Sequence, residues 1–205
     1  MARDTQSIVK MSRREGYALH PKAHKALAKR TTMPGKAANA RMRNKPSQYA
    51  LQLREKQKVK RLYGLLERQF SNLMAEASRT PGQSGATLLQ YLERRLDNVV
   101  YRAGFAPSRR AARQLVTHGH FTFNGRRVDI PSIRVREGDV IELREKSKSS
   151  EYFKKLDDVS PAPSTVPTWQ TVDRKKVQVK VTGLPSRDDA EPEINEQLIV
   201  EYYSR

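Results

Sequence analysis

The sequence contains no cysteine, so neither a disulfide bond nor a thiolate metal site can form within this chain. It also lacks an apolar run approaching the ~18 residues that a membrane-spanning helix needs. The opening residues Met1-Ala2-Arg3-Asp4 are not followed by the apolar core of ~7–15 residues that a secretory signal carries. The lack of cysteine fits a reducing compartment. We therefore predict a protein without membrane attachment.

Acidic residues are scarce relative to basic ones. The 205 residues include 40 Lys and Arg against 22 Asp and Glu, which gives a formal net charge of +18, and only 37% are hydrophobic. Such an excess favours a polyanionic partner, because each cation placed near a phosphate releases a condensed counterion. Anionic membranes would also attract it, so charge alone does not select the partner. The length allows one or two domains.

The basic surplus lies in two separate regions. Residues 1–62 hold 17 basic and 3 acidic residues, and residues 90–149 hold 13 and 7. Residues 63–89 are neutral, and residues 150–205 are slightly acidic. Within 1–46, prolines and weak periodicity predict an arm that orders only against its partner. A disordered solubilising tail is the alternative for this arm.

Residues 47–90 have apolar side chains at helical spacing, beginning after a candidate N-cap at Ser47. The pattern predicts one long helix, or two helices in line, extending to about Ser78. A loop should follow over 80–85, where proline and glycine cluster.

The next segment predicts two helices and a small antiparallel sheet. Thr87 is expected to cap a helix that Gly104 ends, and Ser108 to cap a second helix that Gly119 ends. Asn124-Gly125 then predicts a type I′ hairpin, since this pair tolerates positive φ. Alternation of apolar and polar residues predicts further strands at 133–135 and 140–143.

The C-terminal part has weaker signals. Residues 146–172 read as an irregular connection, in which Trp169 is expected to be a packed anchor rather than a base-stacking residue. Strict alternation predicts a strand over 176–182, whose lysines would guard a sheet edge or contact phosphates. An amphipathic helix is expected within 190–205.

No catalytic or cofactor motif is present. The pair His20 and His24 is interrupted by Pro21, and the pair His118 and His120 has no neighbouring carboxylate or thiol to complete a metal site. No phosphate-binding loop, dinucleotide fingerprint or nucleophile elbow occurs. We therefore expect no catalytic residue, no metal and no cofactor, and predict that the chain is not an enzyme.

Several segments carry a family resemblance. The middle of the chain resembles the RNA-binding module that is named after the fourth protein of the small ribosomal subunit, over 91–102, 108–116, 118–120, 124–125, 128–132 and 138–141. That module also occurs in pseudouridine synthases, a tyrosyl-tRNA synthetase and a heat-shock protein that binds stalled ribosomal subunits. Because 12–16 and 56–70 resemble the ribosomal protein itself, the chain is identified as a member of the bacterial-type family of small-subunit ribosomal protein four.

The resemblance has one departure and several structural implications. Many members carry zinc-binding cysteines near the N-terminus, where this chain has Val9-Lys10-Met11-Ser12, so it would be a zinc-free variant. The implied fold class is α+β, with a mainly helical N-terminal domain into which the RNA-binding module of two helices and a small antiparallel sheet is inserted. The expected domains are an arm at 1–46, a helical domain at 47–90 completed by a helix within 190–205, and a module at 91–189 with its core at 93–155.

The resemblance also implies a function. The protein would be a structural component of the small ribosomal subunit that binds small-subunit rRNA, nucleates assembly of the subunit body and influences translational accuracy. Its implied partners are ribosomal protein five of the small subunit, other small-subunit proteins, and mRNA near the point where it enters the subunit. A cytoplasmic, ribosome-bound location is expected, with an organellar ribosome left open. An RNA-modifying enzyme, a ribosome-rescue factor and an additional mRNA-regulating role are the alternatives.

The predicted RNA-binding residues come from both basic regions. A helix N-terminus combined with arginine forks suits phosphate, and asparagine-glycine turns bring arginines to a hairpin tip. The predicted set is Arg3, Arg13, Arg14, Lys22, Lys58, Arg61, Arg95, Arg109, Arg110, Arg113, Gln114, His118, His120, Asn124, Arg126 and Arg127.

Overall fold

A computed structural model of the chain describes residues 5–30, 32–35, 46–163 and 165–204. The chain divides into two compact units, one formed by Met1–Leu88 with Pro192–Arg205 and the other by Leu89–Glu191. Helices and one antiparallel sheet coexist, which confirms the predicted α+β class. Among the described residues, no helix combines the length and the apolar character needed to cross a bilayer.

The described part of the first unit is helical. Its helices are α1 (Ile8–Glu15), α2 (Ala23–Lys29), α3 (Gln48–Leu62), α4 (Glu67–Arg79), the first half of α5 (Ser84–Glu93), and α11 (Glu196–Tyr203). The N-cap at Ser47 is confirmed, because its hydroxyl accepts a hydrogen bond from the amide of Ala50 at 3.2 Å. Of the two predicted alternatives, the single long helix is wrong and two helices form, because Gly64 adopts a φ of +66° after the first of them.

The C-terminal helix α11 is fixed by polar contacts to α3 and α4. The amide of Gln52 donates to Glu201 at 2.9 Å, and the hydroxyl of Tyr203 donates to Glu67 at 2.9 Å. The ammonium of Lys56 is buried, lies 4.5 Å from the ring centre of Tyr202, and pairs with Glu67 at 2.7 Å. The helix begins at Glu196 rather than near 190, because Asn195 caps it by accepting from the amide of Gln197.

The helical start of the second unit differs from the prediction. Thr87 lies inside α5 and caps nothing, and the predicted continuous helix ends at Glu93 and resumes as α6 (Leu96–Arg102). Between them the chain pairs with the segment around Arg134, which takes the backbone out of the helix. Two predicted helix ends are confirmed: Gly104, with a φ of +76°, follows the end of α6, and Ser108 caps α7 (Arg109–Thr117). Three short helices lie further along the chain: α8 (Glu145–Lys148), α9 (Glu151–Lys154) and α10 (Leu156–Val159).

Five antiparallel strands form one sheet in the order β2-β1-β3-β5-β4. They are β1 (Phe121–Phe123), β2 (Arg126–Val128), β3 (Val140–Leu143), β4 (Gln170–Asp173) and β5 (Gln178–Val181). The hairpin turn is confirmed by positive φ angles at Asn124 and Gly125. The predicted strand at 133–135 forms only an isolated bridge, from Arg134 to Arg95.

Two predictions in the C-terminal part of this unit need correction. The strand predicted over 176–182 is shorter, and it lies between β3 and β4 instead of at an edge, so its lysines guard no edge. The segment predicted to be irregular contains both β4 and three short helices. Trp169 is 3% exposed and belongs to the core that α6, α7 and the sheet enclose, which confirms the packed anchor.

Candidate nucleic-acid interface

The turn between α7 and β1 brings two histidines together at the surface. Gly119 has a φ of +69°, and its amide donates to the carbonyl of Val116 at 2.8 Å, which closes the helix. A side chain would be strained in this conformation, so glycine suits the position. The rings of His118 and His120 consequently lie 6.1 Å apart, one on each side of the glycine.

Two arginines flank the same glycine. A β-carbon at position 119 would lie 2.9 Å from Nε and 3.1 Å from Nη2 of Arg127, so only glycine allows this close approach of the guanidinium. Arg144 directly follows β3, and its Nη1 donates to the carbonyl of Gly119 at 2.9 Å. We call His118, Gly119, His120, Arg127 and Arg144 the hairpin site.

Arg144 was not among the predicted site residues. The register pairs Phe121 with Leu143, and the amide of Arg144 donates to the carbonyl of His120 at 2.9 Å. Extending the predicted hairpin to a third paired strand would have placed residue 144 beside residue 120. The sequence offered no direct signal for that pairing register, because the connection between β2 and β3 is irregular.

His120 is partly enclosed. Its Nδ1 lies 3.1 Å from the hydroxyl of Ser147, and its ring meets that of Phe153 edge-on at 5.5 Å between centres. Burial lowers the pKa of His120, and the positive charges of His118 and Arg144 lower it further. A phosphate bound beside the ring would raise the pKa of His120, because an anion favours the protonated form.

The tip of the hairpin is fixed by a carboxylate. Asn124, a predicted RNA-binding residue, donates to Asp139 at 2.8 Å and accepts from the amide of Val140 at 2.8 Å. Both side-chain atoms therefore stabilise the turn. The exposed side chain of Arg126 follows directly at the start of β2.

Arg109, a predicted RNA-binding residue, takes part in an enclosed network with Arg102, which was not predicted. Glu93 is fully buried and accepts from Nε and Nη2 of Arg102 at 3.0 and 2.8 Å and from Asn98 at 2.7 Å. Arg109 donates to Asn98 at 2.9 Å and to Glu191 at 2.9 Å. We call these five residues the arginine network.

A second buried carboxylate lies on the neighbouring turn. Asp97 accepts from Nε and Nη2 of Arg95 at 3.1 and 2.8 Å and from Arg113 at 3.2 Å. Arg95 is only 5% exposed, whereas Arg110 and Gln114 are exposed on α7. The predicted residues on α7 are thus divided between inward contacts and the surface.

The predicted residues of the first unit show the same division. Arg14 and Lys22 are exposed, and Arg13 donates to the carbonyl of Thr32 at 2.8 Å. Lys58 pairs with a neighbouring glutamate at 2.8 Å and also donates to the carbonyl of Glu193. Arg3 lies outside the described residues.

Arg61 pairs with Glu15, whose side chain is completely buried between α1 and α3. Arg54 donates to the same carboxylate oxygen at 3.2 Å. Burial raises the pKa of Glu15, although the charges of Arg54 and Arg61 oppose that shift. Within the described part of the chain, no three His, Asp or Glu side chains are grouped as metal ligands.

The fold of the second unit, two helices followed by an antiparallel sheet with arginines around one hairpin, defines the class of proteins that carry an S4 domain. A family model described as "S4 domain" matches residues 94–141, and one described as "Ribosomal protein S4/S9 N-terminal domain" matches residues 3–93.

Full-length relatives narrow the class further. The chain is 51% identical to the small ribosomal subunit protein uS4 of Clostridioides difficile (strain 630), with all of both chains covered. It is 50% identical, again over the whole of both chains, to uS4A of Symbiobacterium thermophilum and to uS4 of Chlorobaculum tepidum. The chain belongs to the uS4 family of small ribosomal subunit proteins. This is a family of structural proteins, which agrees with the prediction that the chain is not an enzyme.

Proposed function

We propose that the chain is a structural protein of the small ribosomal subunit that binds small-subunit rRNA directly. The observation that carries the proposal is about 50% identity, over the whole length, to proteins named as this subunit component. The hairpin site supplies a physical basis, because it exposes cationic groups at fixed positions around Gly119.

Phosphate neutralisation would supply most of the affinity. Guanidinium groups bind phosphate oxygens through two parallel hydrogen bonds, and Arg127, Arg144, Arg126 and Arg110 are placed for such contacts on one unit. These contacts position the protein without reading the sequence, so specificity would come from the shape of the folded RNA.

The remaining predicted residues have different parts in this proposal. Arg13, Arg14, Lys22, Lys58 and Arg61 would extend the interface over the first unit. Those with intramolecular partners, chiefly Arg95, Arg109 and Arg113, would act first by holding α6 and α7 in place. The arm over 1–46 would order fully against RNA.

The resemblance to the family suggests finer roles, which are part of the proposal. We propose early binding that nucleates assembly of the subunit body, contact with ribosomal protein five, an influence on translational accuracy, and a position near the point where mRNA enters. The working location would be the cytoplasmic ribosome. The proposed functional domains are the helical domain at 47–90 with its C-terminal helix, and the module at 91–189.

A salt titration tests the central claim. The purified chain is bound to a small-subunit rRNA transcript and, as a control, to a large-subunit transcript of equal length. If ~6–10 phosphates are contacted, affinity should fall by about 10³–10⁵ between 50 and 200 mM salt. A folded protein with no preference for the small-subunit transcript, or with an affinity that ignores salt, would refute direct binding.

Assembly is tested separately by omission. Small subunits are reconstituted from rRNA and purified proteins with and without this chain. We expect particles that lack it to remain incomplete by sedimentation, and adding it late should rescue them slowly. Normal sedimentation of the depleted particles would remove the assembly role and leave rRNA binding intact.

A further inference from the structure

A second group of arginines in Leu89–Glu191 gathers around Tyr91. The guanidinium carbon of Arg134 lies 4.6 Å from the centre of the Tyr91 ring. Nε of Arg94 donates to the carbonyl of Val135 at 2.9 Å, and the amide of Val135 donates back to the carbonyl of Arg94 at 2.8 Å. This backbone pairing places the chain on either side of Val135 next to Arg94. We call Tyr91, Arg94, Arg134 and Arg136 the Tyr91 patch.

The positive charges in this patch repel one another. Burial lowers the pKa of Arg94, and the charge of Arg134 and then that of Arg136 lower it further, against opposing effects of Tyr91 and Asp139. Folding therefore brings like charges near one another, and an anion that binds beside them would offset their repulsion.

The nearby carboxylate is already occupied by the hairpin turn. One oxygen of Asp139 accepts from Asn124 at 2.8 Å, and the other accepts from the backbone amide of Arg136 at 2.6 Å. Asp139 thus connects the loop that carries Arg136 to the hairpin tip. A single extended polyanion could follow this surface from Arg126 to the patch.

We propose that the Tyr91 patch is a further binding surface for the phosphates of an RNA backbone, in addition to the hairpin site. This inference rests on the proposed function, since the RNA would be the same molecule. Guanidinium groups pair with carboxylates and phosphates alike. RNA is favoured over an acidic peptide because Asp139 joins the loop of Arg136 to the hairpin tip, so one RNA backbone could contact the patch and the hairpin site together. The Tyr91 ring restrains Arg134, which reduces the side-chain entropy lost on binding.

The test uses full-length protein and a small-subunit rRNA transcript. The variant Arg134→Gln/Arg136→Gln removes two charges, and Lys175→Gln/Lys176→Gln removes two exposed charges from the turn between β4 and β5 as the matched control. We expect the slope of log affinity against log salt to decrease by about 0.7–0.9 per lost phosphate contact in the patch variant. The control should keep the original slope, and both variants should melt like the parent protein.

Each outcome decides a different claim. If the parent protein itself ignores the transcript, the proposed function fails. If the parent binds and the patch variant keeps both slope and affinity, the inference alone is overturned. Equal losses in both variants would show an effect of net charge only and would also overturn it. Polyglutamate of equal charge that displaces RNA from the parent but not from the patch variant would assign the patch to an acidic protein instead.

Arg136→Gln alone guards against misfolding. Its exposed side chain can be changed without removing the contacts of Arg94 or Arg134. We expect the slope for this single variant to decrease by about half as much as the slope for the double variant. An unchanged slope here, with normal melting, would count against the patch.

Discussion

Arg102 and Arg127 belong to the same unit, but their surroundings are opposite. Arg102 donates hydrogen bonds from Nε and Nη2 to the two oxygens of the buried Glu93 carboxylate. Arg127 lies against the backbone of Gly119 at the surface, and it forms no ion pair among the described residues. The arginine network is therefore balanced internally, whereas the hairpin site keeps an uncompensated positive charge.

This difference separates stability from binding. Removing one partner of a buried ion pair leaves the other charge desolvated and unpaired, which lowers the free energy of unfolding. Removing an exposed cation leaves the folded state nearly unchanged and reduces only the attraction for phosphate. The two regions should respond to substitution in separate assays.

The largest effect is expected for Glu93→Ala. This change removes the buried carboxylate that accepts from Arg102 and Asn98, and it leaves Arg102 with the longer contacts to Glu191 and to the carbonyl of Asp189. It should reduce the free energy of unfolding by about 3–5 kcal/mol. Urea denaturation followed by circular dichroism measures it. Glu145→Ala, which removes an exposed carboxylate that is 84% accessible, serves as the control and should change stability by less than ~0.5 kcal/mol. A small effect of Glu93→Ala would show that the network is not a stabilising element.

The opposite pattern is expected for Arg126→Gln/Arg127→Gln, which removes two exposed cations from the hairpin. A hydrogen bond to a charged group contributes about 1.5–3 kcal/mol, so losing two phosphate contacts should weaken rRNA binding by ~100-fold or more. Filter binding at fixed salt measures this loss. The exposed pair Lys154→Gln/Lys155→Gln is the control and should bind normally. If unfolding changed more than binding did, the distinction between the two regions would be incorrect.

Short-range signals predicted parts of the fold well. The Asn124-Gly125 turn, the cap at Ser108 and the end at Gly104 depend on local backbone preferences, and all three are confirmed. The break between α5 and α6 depends on pairing with Arg134, about 40 residues away, so helical periodicity gave no sign of it. Strand β4 was missed because its sequence, Gln-Thr-Val-Asp, contains one apolar residue.

The candidate site was harder to predict than the fold. A sequence shows that arginines are numerous, but only tertiary contacts show which carboxylates they meet. Arg95 and Arg109 resemble Arg110 in the sequence, and the structure engages both with buried or half-buried acids. Arg144 was missed for the related reason that its place beside Gly119 follows from strand register.

A smaller effect in the first unit extends the comparison to a cluster in which two lysines share one carboxylate. Burial raises the pKa of Glu67, but hydrogen bonds from Lys56, Lys60 and Tyr203 outweigh it and lower the pKa to about 2. The stabilisation is therefore complete above the ordinary pKa of 4.5 and is lost as the pH falls towards 2. Tyr203→Phe removes one donor and should cost about 1 kcal/mol at pH 7, measured by urea denaturation. The cost should shrink at pH 3, and a constant cost would exclude the link to Glu67.

The smallest expected effect sharpens the account of the hairpin site. Burial is the main cause that holds the pKa of His120 below its ordinary value, so the ring of His120 is mostly unprotonated at neutral pH in the free protein. A bound phosphate raises the pKa of a neighbouring histidine, so binding should take up protons and affinity should rise as the pH falls. We expect about a threefold gain between pH 7.5 and 6, well below the tenfold per pH unit that one full proton would give. His120→Gln removes the ring that takes up the proton and should reduce the gain, with a much smaller effect on rRNA binding at pH 8. An affinity that stays constant with pH in the parent protein would place the phosphates away from these rings, and Arg127 and Arg144 would then account for binding without them.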